Sequence, residues 1–232
     1  MIRLSNVYKT YDTAGVKTEA LKNINLEIID GEFIVILGPS GSGKSTLLNV
    51  ISGLDSVTSG EITFNDHNLT TSNDSQMTTF RREHLGFIFQ QYNLFQNLNV
   101  YENIQIGSDI GTKPLDISEL LVKVGLSSFR NKYPYQLSGG EQQRVSIARS
   151  LAKNPDIIFC DEPTGSLDEG NSKQILELLQ ELNEQYKKTL VIITHNGGIA
   201  EMADRVIRMN SGEITSIITN ETKRRAWDIT WS

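Results

Sequence analysis

Two groups of residues in this sequence have the types and spacing needed for chemistry on a phosphorylated ligand. The first is Gly38-Pro39-Ser40-Gly41-Ser42-Gly43-Lys44-Ser45, which fits the pattern G-x-x-x-x-G-K-[ST]. Glycines at these positions let the backbone curl until successive N–H groups point inward at phosphate oxygens. A helix beginning at the end of the run would present its positive end to the same oxygens. Lys44 adds a cation able to reach the β- and γ-phosphates, the Ser45 hydroxyl is a magnesium ligand, and Thr46 continues the cradle. The competing reading is a flexible glycine loop. At ordinary residue frequencies a chance match in a chain of this length arises about 1 time in 100, and the expected strand-to-helix setting reduces that further.

The second group is Ile157-Ile158-Phe159-Cys160-Asp161-Glu162, an apolar run ending in two acids. A buried strand would deliver the acids to the carboxyl edge of a sheet, where ligands of such sheets bind. Asp161 is suited to hold magnesium, and Glu162 to take a proton from, or orient, an attacking water. Alone, this group would fit a solvated acidic turn equally well.

The elements required to position these groups are legible in the hydrophobic pattern. Residues 2–8 and 24–28 alternate like antiparallel strands, with Asp30-Gly31 as a turn. Phe33 to Leu37 reads as a strand buried on both faces, followed by the glycine-rich turn and a helix carrying Leu47, Leu48 and Ile51. Gly60 to Phe64 and Leu85 to Phe89 are short strands, and helical spacing dominates 98–153, near 100–106, 116–124 and 140–153. Ile157 to Cys160 and Leu190 to Thr194 are apolar strands. Between them runs an amphipathic helix with Ile175, Leu176, Leu178, Leu179, Leu182 and Tyr186 on one face. Residues 204–218 read as a final hairpin. The expected fold is α/β, with a mainly parallel sheet, an antiparallel β edge subdomain and an inserted α-helical subdomain.

Composition narrows the function classes. Net charge of −6 argues against sequence-independent nucleic-acid binding, which needs a cationic face. The single cysteine, Cys160, excludes an internal disulfide and fits a reducing compartment. Met1 to Asn6 has no apolar leader core, and Phe33 to Leu37, the densest apolar run, is far too short to cross a bilayer. Service to a membrane would therefore come through docking on another chain.

Leu137-Ser138-Gly139-Gly140-Glu141-Gln142-Gln143-Arg144 resembles the signature of the ABC ATPases, and Asp161-Glu162-Pro163-Thr164-Gly165-Ser166-Leu167-Asp168 resembles that family's Walker B and D-loop run. The resemblance covers almost the whole chain with every motif in family order. It implies a P-loop NTPase core as one ABC ATPase domain over 1–232: a catalytic lobe of 1–97 and 154–220, a helical lobe of 98–153, and a tail of 221–232. Tyr11 is similar to the family's adenine-stacking aromatic, with Tyr8 and Tyr135 also available, Gln90 to its Q-loop glutamine, and His195 to its switch histidine. The resemblance implies that Leu137, Ser138, Gly139, Gly140, Glu141 and Asp168 contact ATP held by a second copy. The cofactors implied are ATP and Mg2+, with Ser45, Gln90 and Asp161 around the metal and Lys44, Gln90, Glu162 and His195 in catalysis. ATP would then hold two copies together until hydrolysis releases them.

Leu85 to Phe95 and Thr164 to Asp168 are most similar to the branch serving lipoprotein release, macrolide export and antimicrobial-peptide export. That branch implies a separate membrane permease with a large extracytoplasmic domain, and a cytoplasmic position on the inner face of the membrane. The stretch between Asn103 and Leu120 is shorter than in many members. A cell-division-type regulator and the ATPase of a solute importer are the alternatives. A small GTPase is disfavoured, since Asn131-Lys132-Tyr133-Pro134 lacks the acid of a guanine reader. The tail Lys223 to Trp231 carries both tryptophans and reads either as a basic aromatic contact or as a segment folded on its own domain.

Overall fold

The structure, a computed structural model, describes residues 1–231 and divides its strands between two sheets. Ile2–Thr13 (β1) and Val16–Ile28 (β2) form a long antiparallel hairpin. Its turn residues Ala14 and Gly15 have φ of 52° and 85°, the paired left-handed geometry that matches strand twist. Pairing continues to Thr13 and Val16, beyond the alternating positions, because the distal hairpin is held by backbone bonds while its side chains face solvent. Phe33–Leu37 (β3) leaves this unit for the second sheet, whereas Ser59–Phe64 (β4) and His67–Asn68 (β5) return to it, giving the order β2-β1-β4-β5.

Leu85–Phe89 (β6), Ile157–Asp161 (β7), Thr189–Thr194 (β8), Arg205–Asn210 (β9) and Glu213–Thr219 (β10) complete the second sheet, ordered β10-β9-β3-β8-β7-β6. Every pair is parallel except β9 with β10. All five side chains of β3 are buried, which explains its unbroken apolar run. Phe33, Val35 and Leu37 enter one core; Ile34 and Ile36 enter the other, on the opposite face. Each such side chain contributes about 1.5–3 kcal/mol, so this strand anchors both layers.

Lys44–Ile51 (α1) packs Leu47 and Ile51 into the core shared with β1 and β2. Asp74–His84 (α2) lies where hydrophobic periodicity predicted no helix. It is fixed by a reciprocal cap between Asn73 and Gln76 and buries only Met77 and Phe80. Val100–Ile110 (α3), Ile117–Lys123 (α4) and Gly139–Ala152 (α5) fill the crossover from β6 to β7. Glu169–Tyr186 (α6) covers the same sheet face, with Ile175, Leu176 and Leu179 inward.

The tail lies on its own domain. Ala226 and Ile229 are buried in the core, and Trp231 packs against it. Its cations are each committed within the chain: Lys223 to Asp204, Arg224 to Glu201, and Arg225 to Glu177 and Glu184. Trp227 alone of the tail aromatics is largely exposed.

Candidate functional site

The turn after β3 is shaped by contacts that leave room only for glycine. Gly43 has φ of 98° and caps α1, and a Cβ there would stand 2.6 Å from the carbonyl oxygen of Ala20. Gly38 is equally confined, since a Cβ would meet the Met209 carbonyl and come within 2.5 Å of Ser42 Oγ. Behind the turn stands the β9–β10 connection, where Gly212 N–H donates to the Ser42 carbonyl at 3.0 Å and Lys22 N–H donates to the Gly212 carbonyl at 2.8 Å. The loop is thereby pinned between β2 and the last hairpin. The loop and the first residues of α1 line one cleft, where a helix N-terminus favours an anion.

Lys44 is nearly buried, and its Nζ donates to the carbonyls of Gly38 at 2.7 Å and Pro39 at 2.9 Å. The ammonium is thus folded over the cradle. Ser42, whose buried Oγ has no hydrogen-bond partner within the chain, lines the cleft, so this hydroxyl is free to serve a polar ligand there.

Across the cleft, β7 ends at Asp161 and β8 at Thr194, adjacent parallel strands in register Asp161 with Ile193. Glu162 N–H donates to the Ile193 carbonyl at 2.9 Å, and Glu162 adopts φ of 48°, a left-handed turn that redirects its side chain. Its carboxylate receives the Thr194 hydroxyl at 3.2 Å and stands 2.8 Å from His195 Nδ1. His195 is mostly exposed while Glu162 is mostly covered. Burial pushes the Asp161 carboxyl above the ordinary carboxylate range; the neighbouring Glu162 charge adds to this and Lys44 opposes it. A carboxylate in that position gains from any cation brought beside it.

The cleft measures ≈ 790 Å³ and is lined by the glycine-rich turn, Lys44, Ser45, Thr46, Asp161, Glu162 and His195. The size suits a nucleotide-scale ligand. The donor set fits a triphosphate with magnesium: backbone N–H groups and an ammonium for phosphate oxygens, a serine hydroxyl and a raised carboxylate for the metal. Thr18, Ala20 and Gly212 also line it. Nothing in their residue types marks them as ligands in the sequence, although the turn at Ser211-Gly212 was available as a signal of close backbone approach.

Other sequence candidates lie elsewhere. Gln90 borders a separate groove with Tyr92, Gln142 and Ser166, and its amide abuts Gly165. Tyr11 does not line the cleft; its hydroxyl donates to Asp55 Oδ2 at 2.8 Å, and Lys9 Nζ stands 4.8 Å from its ring centre. Leu137 to Glu141 and Asp168 form a constellation of their own. Ser138 caps α5, its hydroxyl accepting from Glu141 N–H at 3.3 Å while Glu141 accepts from Ser138 N–H at 2.6 Å. Asp168 caps α6 and holds Asn171, against whose Oδ1 Gly140 packs so tightly that a Cβ would stand 2.6 Å away. Gln143, which residue type did not single out, is fully buried and donates to the Pro163 carbonyl at 2.8 Å, tying this constellation to the segment after Glu162.

Residues 21–165 match the family model described as ABC transporter. The chain is 48% identical over 235 residues to a putative ABC transporter ATP-binding protein, the MG065 homolog of Mycoplasma pneumoniae, covering all of this chain and 50% of that protein. It therefore spans about half the length of that relative. It is 40% identical over 219 residues to the bacitracin export ATP-binding protein BceA of Halalkalibacterium halodurans, covering 92% of this chain and 87% of that one. It is also similar to the ATP-binding cassette MJ0796 of Methanocaldococcus jannaschii in a dimeric post-hydrolysis state bound to ADP and Pi. That structure matches with a TM-score of 0.85 and 41% identity, over 94% of this chain and 98% of that one.

Proposed function

The chain belongs to the ABC transporter family, and we propose that within it this protein is the Mg2+-dependent ATPase that drives a separate membrane permease. One observation carries the reading: the cleft joins a phosphate cradle and Lys44 to Asp161, Glu162 and His195, whose carboxylate and imidazole stand 2.8 Å apart. The P-loop N–H groups and Lys44 hold the β- and γ-phosphates. Ser45 and Asp161 would hold magnesium, with Gln90 joining them only if its loop moves from the groove it now borders; the ion when bound screens phosphate charge.

Glu162 accepts the proton of, or orients, the attacking water. Thr194 and His195 each hold one oxygen of its carboxylate, and Glu162 lines the cleft. His195, the more exposed of the pair, also reaches the γ-phosphate. Tyr11 stacks on the adenine once its contact with Asp55 yields.

Leu137, Ser138, Gly139, Gly140, Glu141 and Asp168 act on the nucleotide of a second copy. Their separation from the cleft within one chain supports this reading, since α5 offers a capped helix start with nothing of its own chain's cradle against it. The dimeric state of MJ0796 supports it as well. The partner is a membrane protein with a large extracytoplasmic domain. The cargo is a peptide, lipoprotein or antibiotic moved outward, a reading that BceA's name supports. No helix among the described residues is long and apolar enough to cross a membrane, and the subunit works docked on the inner face.

Steady-state phosphate release tests the core of this. Hydrolysis should require magnesium and disappear in Lys44→Ala. A full chain that releases no phosphate from Mg-ATP when assembled with its co-purified membrane partner would overturn it. If that partner is a solute importer with many spans and no extracytoplasmic domain, the export branch is wrong while the ATPase stands.

A further inference from the structure

The C-terminal tail meets the turn that follows His195, and this contact is as close as the chain permits. The carbonyl oxygen of Thr230 lies against Gly198 so tightly that a Cβ built on that glycine would overlap it. Gly198 has no positive φ that would require glycine for its own conformation. The demand comes from the tail.

The contact is linked to the cleft by a short chain of bonds. Gly198 N–H donates to Asn196 Oδ1 at 2.9 Å, and Asn196 is buried. Asn196 N–H in turn donates to Thr194 Oγ1 at 3.1 Å, the hydroxyl that donates to Glu162 Oε2. Between Asn196 and Thr194 stands His195, bonded to the other Glu162 oxygen. The segment Gly197–Met202 then runs as a 3-10 helix with Ile199 and Met202 in the core, so the sheet supports it on one side and the tail on the other.

The tail is fixed independently of this contact. Ala226 N–H donates to Glu177 Oε2 at 3.2 Å, Gln180 Nε2 donates to the Arg224 carbonyl at 3.1 Å, and Ile229 is buried. Arg224 reaches the same 3-10 segment through Glu201, by backbone at 2.9 Å and by side chain at 2.8 Å. Anchored on α6, the tail presents the Thr230 carbonyl to Gly198 from a rigid base.

We propose that Thr230 and Ile229 are positioning residues for hydrolysis. By bracing the Asn196–Gly198 turn, they set how His195 and Thr194 hold the Glu162 carboxylate. This rests on the hydrolytic reading above. Neither residue touches the cleft, so the brace acts on turnover rather than on nucleotide affinity.

Gly198→Ala tests this in the full chain, because the added methyl must part turn and tail while every cleft residue keeps its identity. Turnover should fall about 10- to 100-fold, the scale of a small misplacement of catalytic groups, with KM for Mg-ATP unchanged within about twofold. Ile229→Asp, which expels the tail by burying a charge, should repeat the split. In a His195→Ala background each substitution should lower kcat by clearly less than it does alone, because one of the two groups being positioned is already gone.

A loss that adds fully to that of His195→Ala, or a Gly198→Ala protein with normal kcat, overturns the brace and leaves the ATPase reading intact. If Ile229→Asp does not fold, the Gly198→Ala split and its coupling to His195 decide the matter alone. A wild-type protein without hydrolysis overturns the hydrolytic reading and the brace with it.

Discussion

Replacing Gly43 by alanine tests the claim that the cradle's shape, and not only its composition, makes the site. Two costs can be read from the structure. An L-residue forced to the φ of 98° found there loses about 1–2 kcal/mol. The new Cβ also stands 2.6 Å from the Ala20 carbonyl and 3.3 Å from Leu21 Cδ2, and crowding of this kind in a packed region costs about 1–3 kcal/mol. Together they come to about 2–5 kcal/mol. The loop can keep its shape, so that the cost appears as lost stability, or it can relax and misalign the N–H groups, so that it appears as lost affinity. At 1.4 kcal/mol per tenfold, relaxation alone would weaken Mg-ATP binding about 30- to 4,000-fold. Titration with a fluorescent ATP analogue gives one term and denaturant unfolding without nucleotide gives the other. A summed loss below about 1 kcal/mol would refute the reasoning, because turn and strand β2 would then not be in the contact described.

Three further outcomes are expected. Glu162→Gln keeps an oxygen for the Thr194 hydroxyl and the volume of the side chain. It should slow hydrolysis at least about 10²-fold while preserving nucleotide affinity and accumulating an ATP-bound dimer; near-normal single-turnover rates would remove Glu162 from its role. Burial lowers the Lys153 ammonium to about 8, where its Nζ donates to the Arg81 carbonyl at 2.9 Å. The native chain then sheds this proton before the unfolded chain does, so stability should rise with pH between about 8 and the ordinary lysine value near 10.5. Lys153→Met should flatten that slope in thermal melts compared across the same buffers, and an unchanged slope would count against it. Cys160 is fully buried and its thiol is pushed up by burial and by Asp161. It should stay unmodified by a thiol reagent until denaturant is added, and fast native labelling would contradict that placement.

Much of the frame could be read in the residues because physics forced their types. A strand covered on both faces must be apolar throughout, and Phe33–Leu37, Ile157–Cys160 and Leu190–Ile193 stood out for that reason. The cradle was legible because only glycines tolerate its backbone approach. Helix α2 was not, since a solvent-facing helix with Met77 and Phe80 as its only buried residues has almost no apolar stripe. Its one signal was the Asn73–Gln76 cap. The antiparallel strands read as an edge subdomain form a four-stranded sheet of their own, in which β1 pairs with β2 and β4. The contact of Gly198 with Thr230 joins residues too far apart in sequence for any local pattern to report.

Strand β8 lies between β3 and β7, hydrogen-bonded to both along its length. The turn bearing Lys44, the acids Asp161 and Glu162, and His195 therefore issue from three consecutive central strands. Amides of doubly paired core strands generally open late in local fluctuations, so the strand ends that carry these groups are expected to keep their spacing. Any movement coupled to the proposed hydrolysis would therefore come from elements hung outside these strands, with the sheet as the anvil against which they work.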